Sequence, residues 1–163
     1  MSHLEPARKV AVFSDGTEMP FDLFLGVPVH KAPSVVEESG LTVDGWVPVS
    51  PLTLETTFPD VYAVGDVTSV GTPKAGVFAE GQASVVAEQI GSKLRSGTTP
   101  ATYDGHGVCY LEFGYDRVAR VAVTFLSGEA PIGDLEGPSL EIASDKGEFG
   151  SSRIRRWFDR SWP

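Results

Sequence analysis

A carboxylate and the start of a predicted helix lie close together in the middle of the sequence. Asp66 directly follows Gly65, and the predicted helix opens with Ala75, Gly76 and Val77. Asp66 can accept hydrogen bonds from hydroxyl groups, and Gly65 lets a ligand approach the backbone closely. Free amide groups and the positive end of the helix dipole favour an electron-rich oxygen near Gly76. Together these residues predict the edge of a polar pocket at the carboxyl end of a strand. The alternative is that Asp66 only caps a helix or forms a turn, as Asp after Gly often does.

Composition excludes several functional classes. The 163 residues carry 13 Lys and Arg against 22 Asp and Glu, which gives a net charge of −9, and the acidic residues are spread along the chain. This pattern indicates a solubilising surface and argues against nucleic acid as a partner. The single cysteine, Cys109, excludes an intrachain disulfide, and no Cys/His cluster has metal-ligand spacing. Without a signal sequence or an apolar run of about 20 residues, the chain is expected to be soluble and cytoplasmic.

Short apolar runs and turn residues predict mostly extended structure in the first part of the chain. Residues 14–17 are expected to form the turn of a small hairpin. Residues 21–27 read as an apolar strand, and 33–40 as a short helix with proline in its first turn and glycine at its end. Residues 43–49 predict a short extended pair around a glycine.

The elements predicted from residue 60 onward are longer. Residues 60–65 are apolar and β-branched, as expected of a strand buried on both faces. Apolar residues at three- and four-residue steps predict an amphipathic helix over 74–94. The elements expected after it are a linker (97–100), a hairpin (108–125), a loop (128–138) and a second amphipathic helix (144–160).

Several of these segments resemble a known family. TTFPDVYAVGD followed by PKAGVFAEGQA resembles the second flavin-binding motif of flavoproteins with two dinucleotide-binding domains. With DGTEMPFDLFLGVPVH and GVCYLEFG, the pattern resembles the sulfide:quinone oxidoreductase and flavocytochrome c sulfide dehydrogenase branch of the pyridine nucleotide-disulfide oxidoreductases. The resemblance covers most of residues 8–126.

The resemblance implies an FAD site. In the family, the aspartate of the Gly-Asp pair hydrogen-bonds a hydroxyl of the FAD ribityl chain, which implies that role for Asp66 beside Gly65. The helix start at 74–77 would lie at the pyrimidine edge of the isoalloxazine. There, amide groups and the Lys74 cation would stabilise negative charge on the reduced ring. The alternative for Lys74 is a solvated surface lysine.

The resemblance also implies a fold of α/β and α+β type that is incomplete. Three parts are expected: a remnant of the nicotinamide- or acceptor-side domain (1–27), the C-terminal portion of an FAD-binding Rossmann-like domain (28–97) and a small α+β C-terminal domain with a β-hairpin (98–163). The G-x-G-x-x-G turn that holds the FAD pyrophosphate is missing from the sequence. We therefore expect a truncated flavoprotein that binds FAD weakly or not at all in isolation. Its exposed core surface favours a homodimer, or the missing N-terminal half, as partner.

The resemblance gives Cys109 a redox role. In the sulfide-oxidising relatives two cysteines flank the flavin, and Cys109 in GVCYLEF matches the C-terminal one, with its partner outside this chain. The parent would pass electrons from a reduced sulfur compound or NAD(P)H through FAD to a quinone or another acceptor. The alternative is that Cys109 is a small buried hydrophobic residue.

Two further alternatives stay open. The tail helix with Trp157 and Phe158 could contact a membrane surface, but packing on the 108–125 hairpin is the commoner fate of such an apolar stripe. The chain as a whole could be a non-catalytic binding or dimerisation module that keeps the flavoprotein fold. If the chain is part of an enzyme, we expect catalysis in the full-length parent and not in the isolated chain.

Overall fold

The computed structural model describes residues 1–27, 29–95, 100–125, 128 and 130–161. The chain divides into two compact units, Met1–His30 and Lys31–Pro163, and each is described by itself. The linker expected over 97–100 falls almost entirely outside the described residues.

The first unit is a small antiparallel sheet. Its strands, in spatial order, are β1 (His3–Glu5), β2 (Val10–Val12) and β3 (Glu18–Pro20). In the turn between β2 and β3, the Asp15 carboxylate accepts a hydrogen bond of 2.9 Å from the Thr17 amide. The hairpin predicted around 14–17 is therefore confirmed, and β1 adds a third strand that no turn signal indicated.

The strand predicted over 21–27 is wrong. These residues form no strand, and the side chains of Leu23, Leu25 and Val27 are 73%, 85% and 86% exposed. A strand is stable only when a neighbour satisfies its backbone groups, and no strand among the described residues pairs with this segment. The apolar run is therefore irregular chain with exposed side chains.

The second unit begins with short elements. Helix α1 (Ser34–Glu38) ends before Gly40, whose φ of +76° suits glycine at a helix end. This confirms the short predicted helix. The extended pair expected over 43–49 is present as an isolated antiparallel bridge between Val43 and Trp46.

The buried strand predicted over 60–65 is also wrong. Tyr62 forms an isolated antiparallel bridge with Glu55, and the Val61 side chain is exposed. The run has the composition of a strand in a parallel sheet, but the described residues provide no neighbouring strand to pair with it. It leads instead into a 3₁₀ turn over Gly65–Val67.

Helix α2 (Gly76–Arg95) confirms the longest predicted helix. Its amphipathic spacing buries one stripe against the core. The buried residues of that stripe are Phe78, Gln82, Val85 and Gln89. Val85 belongs to the main hydrophobic cluster, which also contains the fully buried Leu54.

A second antiparallel sheet follows α2. Its strands, in spatial order, are β4 (His106–Glu112), β5 (Val118–Thr124) and β6 (Ile132–Ser139). The hairpin formed by β4 and β5 confirms the one predicted over 108–125. The loop predicted over 128–138 is wrong, because most of it is β6. Glycine and proline in this stretch indicate a loop, yet an edge strand tolerates both because one side of its backbone needs no sheet partner.

Helix α3 (Leu140–Phe158) confirms the final predicted helix, although it begins at Leu140 rather than at residue 144. The earlier start has a local cause. The Ser139 hydroxyl caps the helix by accepting a hydrogen bond of 3.1 Å from the Ile142 amide.

One part of the apolar side of α3 packs on the β4-β5 hairpin. The centroids of the Phe149 and Tyr110 rings lie 5.3 Å apart in a tilted, edge-on arrangement. Farther along the helix, Trp157 and Phe158 are 53% and 65% exposed. Packing on the hairpin thus accounts for Phe149 and leaves the last two aromatic side chains at the surface.

The architecture is mixed helix and sheet of α+β type, and both three-stranded sheets are antiparallel. The parallel sheet that a Rossmann-like domain requires is not present in the described part of the chain. A parallel pairing there joins Val47 and Thr68 as an isolated bridge. No helix within the described ranges is long and apolar enough to cross a bilayer.

Candidate functional site

The predicted Gly-Asp pair lies in a sharp turn against helix α2. Gly65 has a φ of +76°, a conformation that favours glycine. A Cβ atom at Gly65 would lie 3.3 Å from the Cβ atom of Ala79 in α2. The turn and the helix therefore approach each other too closely to admit a larger residue at Gly65 without adjustment.

The backbone of this turn is held from its buried side. The Gly65 carbonyl accepts hydrogen bonds from the Thr68 amide (3.1 Å) and the Thr68 hydroxyl (2.9 Å). The Gly65 amide donates to Gln82 Oε1 over 2.6 Å. The Val67 carbonyl accepts from the Val47 amide over 2.9 Å. Because Thr68, Gln82 and Val47 are all buried, these bonds fix the turn in one conformation.

The Asp66 carboxylate remains available at the surface of the turn. Its side chain is exposed and makes no hydrogen bond to any described residue. Asp66 does occupy a turn, as expected if it only formed a turn or a helix cap, but its side chain caps no helix in the described ranges. Both carboxylate oxygens are therefore free to accept hydrogen bonds from a ligand.

The Lys74 ammonium group is held beside this turn. It lies 4.1 Å from the centroid of the Trp46 ring and donates a hydrogen bond to the Thr68 carbonyl. Burial lowers the pKa of Lys74, and the negative charge of Asp66 offsets part of this effect. A cation and a carboxylate therefore face the same part of the surface.

Helix α2 opens with amide groups that its own backbone does not use. The Ala75 carbonyl accepts hydrogen bonds from the amides of Phe78 (3.1 Å) and Ala79 (3.3 Å), so Ala75 begins the intrahelical ladder. The amides of Gly76 and Val77, in the first turn, have no intrahelical acceptor. Gly76 is exposed, and a Cβ atom there would meet nothing within 4 Å. The helix thus presents amide donors beside open space at its positive end.

Cys109 lies on the side of β4 that faces α2. Gly107 packs directly on the helix, because a Cβ atom there would lie 2.5 Å from the Phe78 ring. Residues two apart on a strand share a face, so Cys109 is on the same face as Gly107 and about 7 Å farther along. Cys109 is half-buried. No second cysteine exists in the sequence to pair with it.

An open groove lies along β4. It has a volume of about 480 Å³ and runs from Val77 in the first turn of α2 to Phe149 in α3. Tyr110 and Arg120 contribute to its lining. Cys109 is not among the residues that line this groove.

Two residues of the site were missed by sequence reasoning. Trp46 lies in an irregular stretch and meets Lys74 only through the fold. Gln82 did carry a signal, since it is a polar residue on the buried stripe of α2 between Phe78 and Val85. A buried polar side chain requires a hydrogen-bond partner, so its position alone indicates a specific contact.

The chain is similar to part of two curated proteins. It is 31% identical over 132 residues to the mitochondrial sulfide:quinone oxidoreductase of Schizosaccharomyces pombe. The aligned region covers 77% of this chain and 28% of that protein. It is 28% identical over 123 residues to the mitochondrial sulfide:quinone oxidoreductase of Mus musculus, and this aligned region covers 71% of the chain and 27% of the mouse protein. The chain thus spans less than a third of the length of these relatives.

A solved structure shares the fold. One chain in the cryo-EM structure of the Tetrahymena thermophila mitochondrial ATP synthase, an F1Fo composite tetramer, superposes with a TM-score of 0.59 over 72% of this chain and 30% of that chain. At 21% identity, this likeness shows the fold alone. No protein-family model matches the chain. Over most of its length the chain is therefore similar to part of a sulfide:quinone oxidoreductase.

Proposed function

We propose that residues 65–77 form one wall of the flavin site of an FAD-dependent oxidoreductase. The observation that carries the proposal is the exposed Asp66 carboxylate, which has no hydrogen-bond partner among the described residues and lies close to Lys74 and the open first turn of α2. Asp66 would accept a hydrogen bond from a ribityl hydroxyl group, and Gly76 and Val77 would donate toward the pyrimidine edge of the ring. Similarity to sulfide:quinone oxidoreductases supports the assignment.

The residues around this wall suit a group that gains negative charge. FAD, when bound, supplies the electron and hydride transfer chemistry. The Lys74 ammonium group and the amides of α2 favour a negatively charged oxygen or nitrogen at the wall. Trp46 keeps the ammonium group in position through the contact with its ring.

The wall covers only one part of FAD. The sequence has no G-x-G-x-x-G turn, so it contains no recognisable pyrophosphate grip. The chain would therefore bind FAD weakly by itself, and the Rossmann-like domain would be completed by polypeptide that this sequence does not contain. Catalysis would require that completion.

The proposed reaction passes electrons from a reduced sulfur compound, or from NAD(P)H, through FAD to a quinone or another acceptor. Cys109 would act as a redox thiol, a role supported by the similarity to sulfide:quinone oxidoreductases. A disulfide or persulfide cycle needs a second sulfur atom, which must come from outside this chain because Cys109 is its one cysteine.

FMN tests the proposed wall, because it carries the ribityl chain and isoalloxazine but lacks the adenosine part of FAD. Titration of the purified chain, followed by flavin fluorescence, is expected to show binding with a Kd of roughly millimolar or tighter. Asp66→Ala is expected to weaken it. Asp134→Ala, which removes an exposed carboxylate from β6, is the matched control and should bind as the unmodified chain does. Equal binding by the unmodified chain and Asp66→Ala, or no binding by either, would overturn the proposal.

A second candidate function is a dimerisation module without catalysis. The specific observation in its favour is the row formed by Leu23, Leu25 and Val27, which alternate along the chain and are exposed. No described residue of the first unit covers this row. A second copy of the chain could cover it by strand exchange, which would bury apolar area and satisfy backbone groups together.

A further inference from the structure

Gln82 joins three parts of the candidate site through one buried side chain. It lies on α2 and is 1% exposed. Its Oε1 atom accepts a hydrogen bond of 2.6 Å from the Gly65 amide, and its Nε2 atom donates one of 3.2 Å to the Thr72 hydroxyl. The turn, the loop before α2 and the helix are thereby connected.

The bond to Gly65 determines where Asp66 stands. The Gly65 amide immediately precedes Asp66 in the chain, and Gln82 belongs to the same helix whose first turn carries the Gly76 and Val77 amides. A shift of the Gly65 amide relative to Gln82 therefore changes the distance between the carboxylate and those donors. The bonds between Gly65 and Thr68 leave that distance unset because both residues belong to the same loop. The bond from the Val47 amide to the Val67 carbonyl holds the turn to a segment outside α2, so Gln82 supplies the side-chain hydrogen bond that ties the turn to the helix.

The surroundings of the Gln82 carboxamide favour a polar group at this position. Burial raises the pKa of Tyr103, whose hydroxyl lies near the Gln82 and Thr72 side chains without meeting either in hydrogen-bond geometry. The Tyr103 hydroxyl is buried and has no hydrogen-bond partner within the described ranges. Gln82 thus lies in a small polar region beside Tyr103, which belongs to the main hydrophobic cluster.

We infer that Gln82 is a positioning residue for the flavin site: through the Gly65 amide it sets the separation between the Asp66 carboxylate and the amide donors of α2. The part of this inference that concerns flavin binding rests on the proposed function. The hydrogen bond that carries it is independent of any ligand.

Three substitutions separate this role from simple core packing. Gln82→Met keeps the length of the side chain and removes both hydrogen bonds. Gln82→Glu keeps an acceptor for the Gly65 amide, and the Thr72 hydroxyl can rotate to donate to the second oxygen. Gln89→Met is the matched control, because Gln89 is also buried on α2 but its Nε2 atom donates to the Ala101 carbonyl over 2.6 Å.

Hydrogen exchange at the Gly65 amide tests the inference without flavin. Gln82→Met is expected to speed exchange of this amide by roughly tenfold or more relative to the core amides of α2. Gln82→Glu should restore slow exchange at neutral pH, and Gln89→Met should leave it unchanged. Unchanged exchange in Gln82→Met, or an equal change in Gln89→Met, would overturn the inference.

FMN affinity then separates the inference from the function on which it rests. Gln82→Met should weaken FMN binding by roughly tenfold, with recovery in Gln82→Glu and no loss in Gln89→Met. If the unmodified chain binds no FMN, the proposed function fails while the exchange result still decides whether Gln82 holds the turn. If FMN binds and Gln82→Met leaves its affinity intact, the positioning role is wrong and the flavin site stands.

Discussion

The Lys74 ammonium group lies over the Trp46 ring, 4.1 Å from its centroid, and is electrostatically coupled to Asp66 on the neighbouring turn. Burial lowers the pKa of Lys74, whereas the carboxylate opposes that change. The charge of Asp66 therefore already affects the pKa of Lys74 before a ligand binds. Titration of Lys74 can therefore detect the charge on Asp66.

Asp66→Asn is expected to lower the pKa of Lys74 further, because it removes the negative charge that favours the protonated amine. NMR titration of the lysine side-chain carbons measures this directly. Asp134→Asn should leave the Lys74 titration unchanged, since that carboxylate lies on β6. An unchanged or raised pKa in Asp66→Asn would show that the two groups are not coupled as described.

Tyr103→Phe is expected to keep or increase the free energy of unfolding at neutral pH, by up to about 1 kcal/mol, because the hydroxyl it removes is buried without a described partner. Burial raises the pKa of folded Tyr103 above its ordinary value of 10.0. The folded chain then holds the phenolic proton more tightly than the unfolded chain. The resulting stability is present below pH 10 and is lost as pH rises through the folded pKa. Urea unfolding measured as the pH rises above 10 should show this loss of stability in the unmodified chain and not in Tyr103→Phe. If Tyr103→Phe loses as much stability as the unmodified chain, Tyr103 is not the group responsible.

Gly107→Ala is expected to cost about 1–3 kcal/mol, because its new Cβ atom would lie 2.5 Å from the buried Phe78 ring. Gly147→Ala provides the matched control on α3. A Cβ atom there meets nothing within 4 Å, and alanine favours the helix by about 0.5–1 kcal/mol. Chemical denaturation midpoints compare the two, and equal effects would mean that β4 and α2 are not in close contact.

Leu25→Asp tests the dimerisation candidate. The Leu25 side chain is 85% exposed, so a charge there should leave the monomer's stability within about 0.5 kcal/mol. If a second copy covers this row, sedimentation equilibrium should show a dimer for the unmodified chain and a shift toward monomer for Leu25→Asp. A chain that is monomeric before the change would remove this candidate.

Sequence patterns predicted the elements whose stabilising contacts are local. Helix α2, helix α3 and the β4-β5 hairpin each follow from periodicity and turn residues along one continuous stretch. The strands predicted over 21–27 and 60–65 failed because a strand depends on a neighbour that its own sequence does not specify.

The same distinction applies to the site. Gly65 and Asp66 were predictable from a glycine and a carboxylate that end an apolar run. Gln82 lies 17 residues away from Gly65, and their contact depends on how α2 packs against the turn. Trp46 reaches Lys74 only through the tertiary fold, so composition and spacing gave no indication of it.

An amide chemical-shift map of the ¹⁵N-labelled chain during FMN titration tests the flavin wall most directly. The account predicts shifts concentrated at residues 65–67 and 75–77, and their loss in Asp66→Ala. Shifts confined to the groove beside Tyr110 and Phe149, or to the arginine-rich end of α3, would contradict it.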